Sequence, residues 1–215
     1  MEAARVGSEA DFQPLAPATT DGKFKFSNPA PLGLAGFALT TFILGCVNAN
    51  FISGGDAFVV LSVAAAYGGL AQLLAGMWEF RTGNTFGAVA FSSYGAFWIS
   101  FVFLIQFFLP EAGSAAGHGV SMYLLCWGFF TFYMWIGTFK LNTALFWVFL
   151  TLWVAYLLLG LGGLGGGSTT ITHIGGYVTI ACAIIAWYTG AALVLNDTYG
   201  RTLLPLGPPM APDRR

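Results

Sequence analysis

Residues 32–51 read LGLAGFALTTFILGCVNANF, an apolar run without one charged side chain, and runs of the same kind recur to residue 195. A helix needs about 20 such residues to cross a hydrocarbon layer roughly 30 Å thick. Six stretches meet that length: Leu32 to Phe51, Phe58 to Trp78, Phe86 to Leu109, Gly119 to Phe139, Ala144 to Gly163 and Ile174 to Leu195. Short polar or glycine-rich pieces separate them, among them the Ser53 to Asp56 turn and the Leu164 to His173 piece. The pattern predicts an all-α integral membrane protein with six transmembrane helices. Residues 1–31 are expected to be a flexible tail without the h-region of a signal peptide, residues 32–195 the helical domain, and residues 196–215 a second tail.

Charge placement supports an even count. All eight Lys and Arg lie in the two tails (Arg5, Lys23, Lys25, Arg201, Arg214, Arg215) or after spans two and four (Arg81, Lys140). The loops after spans one, three and five carry Asp56, Glu111, His118 and His173 instead. By the positive-inside tendency both termini are expected in the cytoplasm, with the plasma membrane as the expected location. His118 and His173 read as loop histidines, with a pH sensor at the mouth as the alternative. Five or seven spans would scatter the cations over both faces.

Composition removes several function classes. Only 8% of the 215 residues are charged, against about 25% in a soluble domain, and no basic block exists to follow a nucleic-acid backbone. No charge falls near a span centre, which argues against a voltage sensor or a pump built on a buried carboxylate relay. Neither a nucleophile with an adjacent base nor a histidine cluster with metal spacing is visible, so no catalytic residue, metal or cofactor is expected. Cys46, Cys126 and Cys182 sit in apolar runs and read as small hydrophobes.

The spans carry neutral hydrogen-bonding groups, which are costly in lipid and should face helices or water. Phe37, Thr40, Thr41, Leu44 and Asn48 fall on one face of span one. Gly68, Gln72, Ala75 and Glu79 form a narrow stripe on span two, with an amide at mid-membrane and a carboxylate at the cytoplasmic end. Such stripes serve helix packing or line a pathway; Thr40, Thr41, Gln72 and Asn48 are the candidate substrate-binding groups. Glu79, beside Trp78 and Arg81, reads as half of a solvated interfacial ion pair at the cytoplasmic mouth, with proton delivery as the alternative. Trp98, Trp153 and Trp187 lie inside their spans rather than in an interfacial belt, so many of these rings should pack between helices, with lining a pore as the alternative for some. Asn28 and Pro29 look like the cap and first position of span one.

The run Asn28-Pro29-Ala30-Pro31-Leu32-Gly33-Leu34 resembles the signature of the acetate uptake transporter family, also called the succinate-acetate permease family. The resemblance continues through Tyr67-Gly68-Gly69, Gly83-Asn84-Thr85-Phe86-Gly87, Ser92-Ser93-Tyr94-Gly95 and Leu204-Pro205-Leu206-Gly207. It implies a homo-hexamer in which every protomer has its own pathway for acetate and related small carboxylates. It also implies a constriction at Phe37, Tyr94 and Leu152, with Gln72 and Asn28 as pathway or mouth residues. The long first tail looks like that of fungal members. A bare carboxylate in a dry neck costs tens of kcal/mol, whereas protonating a carboxyl of pKa about 4.3 at pH 7 costs about 3.7 kcal/mol. The neutral acid, with its proton, is therefore the expected passenger. Alternatives are a channel for ammonia or another small solute, and a membrane acetate sensor without flux.

Overall fold

Six helices long and apolar enough to span a membrane appear in the computed structural model: α1 (Ala30–Asn48), α2 (Phe58–Thr82), α3 (Thr85–Ala112), α4 (Ala116–Thr138), α5 (Thr143–Gly162) and α6 (Thr169–Tyr199). The structure describes residues 26–52, 57–113, 116–164 and 166–211, with residues 19, 20, 23, 24 and 55. Most of the expected N-terminal tail, most of the Ser53 to Asp56 turn, and residues 212–215 lie outside the described residues. Within the described part of the tail, β1 (Thr19–Thr20) pairs antiparallel with β2 (Lys23–Phe24).

Helix ends follow local chemistry. Pro29 already has helical dihedrals (φ −79°, ψ −15°), and the Asn28 Oδ1 accepts the Ala30 N–H at 3.0 Å, which satisfies one of the free donors of α1. Gly83 stops α2 in the left-handed region at φ +79°, a conformation glycine adopts without steric cost. The next residue, Asn84, opens α3 by accepting the Gly87 N–H at 3.1 Å, so the α2–α3 link is two residues long. Asn142 caps α5 through Leu145 N–H at 2.9 Å. Helix α6 starts well before Ile174 because the Ser168 hydroxyl accepts the Ile171 N–H. The threonine-rich stretch behind that cap continues as helix, and Gly200 at φ +62° ends it.

The bundle closes on itself in chain order. Helix α1 lies between α6 and α2, with α2 against α3, α4 against α5, and α5 against α6. Helices α3 and α4 meet mainly through rings: Tyr94 with Phe130 (centroids 5.4 Å apart), and Phe97 with Trp127 (5.2 Å) and Tyr123 (5.7 Å, stacked). The interior tryptophans pack between helices as expected: Trp98 is buried, Trp153 stacks on Trp135, and Trp187 meets Phe42. By contrast α2 and α3 approach backbone to backbone at Gly76, where a Cβ would overlap the Ser92 nitrogen. Large apolar side chains such as Phe51, Phe107 and Phe129 point outward, as a bilayer-facing surface requires.

Two stretches widen to π-helix, Ala64–Ala71 in α2 and Leu104–Phe108 in α3. Such turns are frequent at functional sites, and the first ends immediately before Gln72. The start of α1 and the end of α6 share one end of the bundle, where Leu34 packs near Gly190; this end is the terminal face. At the opposite face Gly176 of α6 lies against Asn48 and Ala49.

Candidate functional site

Two cavities enter the bundle from its two faces. The larger, about 390 Å³, opens between the start of α1, the α2–α3 link and the α4–α5 loop, where Ala30, Asn84, Lys140 and Asn142 line it. Deeper in, Gln72, Phe37, Tyr94 and Leu152 line the same space. The smaller, about 190 Å³, is lined by Thr41, Leu44, Asn48, Trp98, Tyr156 and Thr172 on the side of the opposite face. Phe37 and Leu152 line both cavities. These two side chains are what separates them.

Helix geometry brings this neck together. Phe37 from α1, Tyr94 from α3 and Leu152 from α5 are each no more than 5% exposed, and the Phe37 and Tyr94 rings stand 6.0 Å apart. Tyr94 borders the larger cavity only. Its hydroxyl lies 2.9 Å from Thr131 Oγ1. Thr131 spends its single hydroxyl proton on the Trp127 carbonyl at 2.8 Å, so Tyr94 is the donor to Thr131. That bond draws the hydroxyl toward α4 and leaves ring carbon at the neck.

Gln72 is 1% exposed, lines the larger cavity, and neither its Oε1 nor its Nε2 has a hydrogen-bond partner among the described residues. Buried amides in native proteins are almost always satisfied, so an orphan amide on a cavity wall is poised for water or a polar ligand. Thr41 repeats the pattern on the side of the smaller cavity, which it lines with a buried Oγ1 that has no partner among the described residues. The half-buried Asn48 lines that cavity too.

Other expected site residues lie elsewhere. Thr40 lines neither cavity: its hydroxyl donates to the Gly36 carbonyl at 2.9 Å, and its side chain packs on Gly68 of α2. One residue is a 100° step around a helix, enough to turn Thr40 into the α1–α2 seam while Thr41 faces the cavity. Asn28 is exposed and caps α1 beside the lining residue Ala30 without lining the cavity itself.

The expected solvated Glu79–Arg81 pair does not form. Glu79 is 1% exposed, and its Oε2 accepts from Asn84 Nδ2 at 2.9 Å and Thr82 Oγ1 at 3.2 Å. Arg81 instead lies over the Phe26 ring at 5.2 Å. Successive residues on one helix leave in different directions, and the tight α2–α3 link brings Asn84 back over the carboxylate. Gly87 belongs to this arrangement, because a Cβ there would sit 2.8 Å from the Glu79 carboxyl carbon. Glu79→Ala is expected to remove the carboxylate that accepts from Asn84 Nδ2 and Thr82 Oγ1 and to destabilise the fold by about 1–3 kcal/mol, read as a lower unfolding temperature in detergent. Glu79→Gln, which keeps one acceptor oxygen, should lose less; equal stability of all three proteins would refute the anchoring role.

Lys140, Asn84 and Asn142 at the mouth, and Trp98, Tyr156 and Thr179 on the smaller cavity, were not anticipated as lining residues. Tyr156 was findable, since it lies one helical turn beyond Leu152 on the same face of α5. The loop residues were not, because no periodicity governs where a loop points. Among the described residues no cluster of three His, Cys, Asp or Glu could hold a metal ion.

Known proteins match this chain over nearly its whole described length. The pattern of the GPR1/FUN34/yaaH family covers residues 9–207. The succinate-acetate/proton symporter SatP of Escherichia coli (strain K12) is 40% identical over 189 residues, which is 86% of this chain and 98% of that one. Ammonia transport outward protein 2 of Saccharomyces cerevisiae is 42% identical over 184 residues, 83% of this chain and 64% of that one. The solved structure of the bacterial acetate channel SatP superposes with a TM-score of 0.80 at 39% identity, over 85% of this chain and 100% of its own. With a family pattern across most of the sequence and the same fold at that identity, the chain belongs to the GPR1/FUN34/yaaH family, the acetate uptake transporter family that its Asn28–Leu34 signature resembles.

Proposed function

We propose that this protein moves acetate and related small carboxylic acids, succinate included, across a membrane through a pathway inside each protomer, with a proton accompanying the acid. The observation that carries the reading is the pair of cavities sharing Phe37 and Leu152, with an unpartnered polar group on each side of them, Gln72 and Thr41. The names of the two SatP relatives supply the substrate class.

The chemistry follows from what the neck lacks. Phe37, Tyr94 and Leu152 offer it ring and aliphatic carbon, and among the described residues Lys140 at the mouth is the one charged side chain that lines either cavity. A carboxylate entering that space loses its hydration with no cation to replace it, a cost far above the few kcal/mol of taking up a proton. Gln72 can donate to the carbonyl and accept from the hydroxyl of a neutral acid on one side. Thr41 can do the same on the other, and the apolar neck excludes bulk water between them. The protomers form a hexamer of six separate pathways, with the terminal face toward the cytoplasm and the plasma membrane as the site of action.

Proteoliposomes test this. Because neutral acetic acid also crosses bare lipid, protein-mediated flux is the excess over protein-free vesicles, and succinate, which crosses lipid poorly, gives the cleaner signal. At fixed total acid, excess flux of acetate should fall roughly tenfold per pH unit once the pH is well above its pKa, and that of succinate roughly a hundredfold because its neutral form carries two protons, with protons entering alongside. Flux that stays constant from pH 5 to 8 without proton movement would replace this mechanism with a wetted anion channel. The name of the Saccharomyces relative favours ammonia as a second reading; ammonia flux without carboxylate flux in the same vesicles would select it, and acetate binding without flux would make the protein a sensor.

A further inference from the structure

The segment that follows α6 lines neither cavity, yet it is bonded to the rest of the protein at almost every turn. Gly200, in the left-handed region, reverses the chain, and the Asn196 side chain then grips the returning strand at three points. Its Oδ1 accepts the Leu203 N–H (2.7 Å) and the Leu204 N–H (3.0 Å), and its Nδ2 donates to the Leu204 carbonyl (2.9 Å). The Tyr188 hydroxyl donates to the Pro205 carbonyl at 2.6 Å. Further on, Ala144 N–H donates to the Leu206 carbonyl at 2.9 Å, Thr143 O–H to the Pro208 carbonyl at 2.7 Å, and Ala211 N–H to the Phe139 carbonyl at 2.9 Å. Gly207 allows the closest approach: it has φ +76°, and a Cβ on it would lie 2.6 Å from Thr143. Pro205, Pro208 and Pro209 stiffen the segment by fixing φ.

The gripped residues, Phe139, Thr143 and Ala144, bracket Lys140, Leu141 and Asn142, which line the mouth of the larger cavity. The Ala144 N–H is one of the free donors at the start of α5, so the returning segment completes the cap that Asn142 begins. We propose that residues 203–211 form a strap that fixes the Lys140–Asn142 loop and thereby sets the aperture of the larger cavity, with Asn196 as the positioning residue that anchors it. The strap acts on access to the cavity and leaves the Phe37–Leu152 neck untouched. Its consequence for transport rests on the reading above; the aperture itself does not.

Thiol labelling in detergent, where both faces meet the reagent, tests the aperture without any flux. In a background with Cys46, Cys126 and Cys182 replaced by alanine, Leu141→Cys places a thiol at the mouth and Leu44→Cys places one in the smaller cavity. Adding Asn196→Ala should raise the labelling rate by a small hydrophilic thiol reagent at position 141 at least fivefold and leave position 44 unchanged. Tyr188→Phe, which removes one bond and keeps the ring, should give a smaller rise at position 141, and it decides the matter if Asn196→Ala does not fold. An unchanged rate at position 141, or equal rises at both positions, would overturn the strap and reduce Asn196 to a general stabiliser. In proteoliposomes Asn196→Ala should shift the KM for acetate more than kcat. Labelling that changes as expected in a protein without acetate flux would leave the strap standing and remove the transport reading.

Discussion

Replacing Gln72 by Leu is expected to cut carboxylate flux by roughly 10- to 100-fold while leaving the fold at least as stable as before. A polar group deprived of its only partner in a dry site costs about 1–3 kcal/mol, and the proposed acid would lose the amide that meets it before the neck. The protein itself loses nothing comparable, because Gln72 Oε1 and Nε2 have no partner among the described residues. Leu has similar bulk and carries no unsatisfied atoms. Flux and thermal stability should therefore separate, the first falling and the second holding or rising. An amide serving as interhelical glue would behave in the opposite way, with stability and oligomer content falling together with flux. Measuring succinate uptake beside the unfolding temperature and size-exclusion profile distinguishes the two.

Gly76→Val should prevent folding. A Cβ at this position overlaps the Ser92 backbone nitrogen and lies 2.9 Å from the Ser92 Cα, so no side-chain rotation relieves the clash and α2 must move away from α3. Overpacking that repacked side chains can absorb costs about 1–3 kcal/mol, and displaced backbone exceeds that range. The movement would also pull Gln72 and Tyr94 out of register, because they sit on the two helices that separate. Loss of the monodisperse detergent-solubilised protein is the expected result. A Gly76→Val protein that remains folded and carries acid at the normal rate would refute the tight α2–α3 contact as a requirement of the fold.

Helices are legible in this sequence where the physics is one-dimensional. The apolar length of each span, the glycine and asparagine that close and reopen the chain at Gly83 and Asn84, and the alternation of the cations all depend on neighbours in sequence. Helix limits moved where a cap outweighed polarity, as Ser168 did for α6. Site residues were harder. Phe37, Tyr94 and Leu152 were expected from motif resemblance; the structure puts Phe37 and Leu152 on the walls of both cavities and Tyr94 on the wall of the larger one alone. Thr40 and Thr41 are equivalent in composition and adjacent in sequence, and only the position of α2 decides which one faces open space. Glu79 shows the same limit: Arg81 is near it in sequence, but Asn84 is the residue the turn returns to it.

The sequence by itself determined six membrane-crossing helices, their even count and their neutral midplane, because transfer of apolar and charged groups between water and hydrocarbon is additive along the chain. Which of the buried polar groups would be left without a partner, and that Phe37 and Leu152 would stand between two open spaces, only the tertiary structure decided. Those properties belong to the gaps between helices, and a gap is made by side chains distant in sequence that fail to fill it.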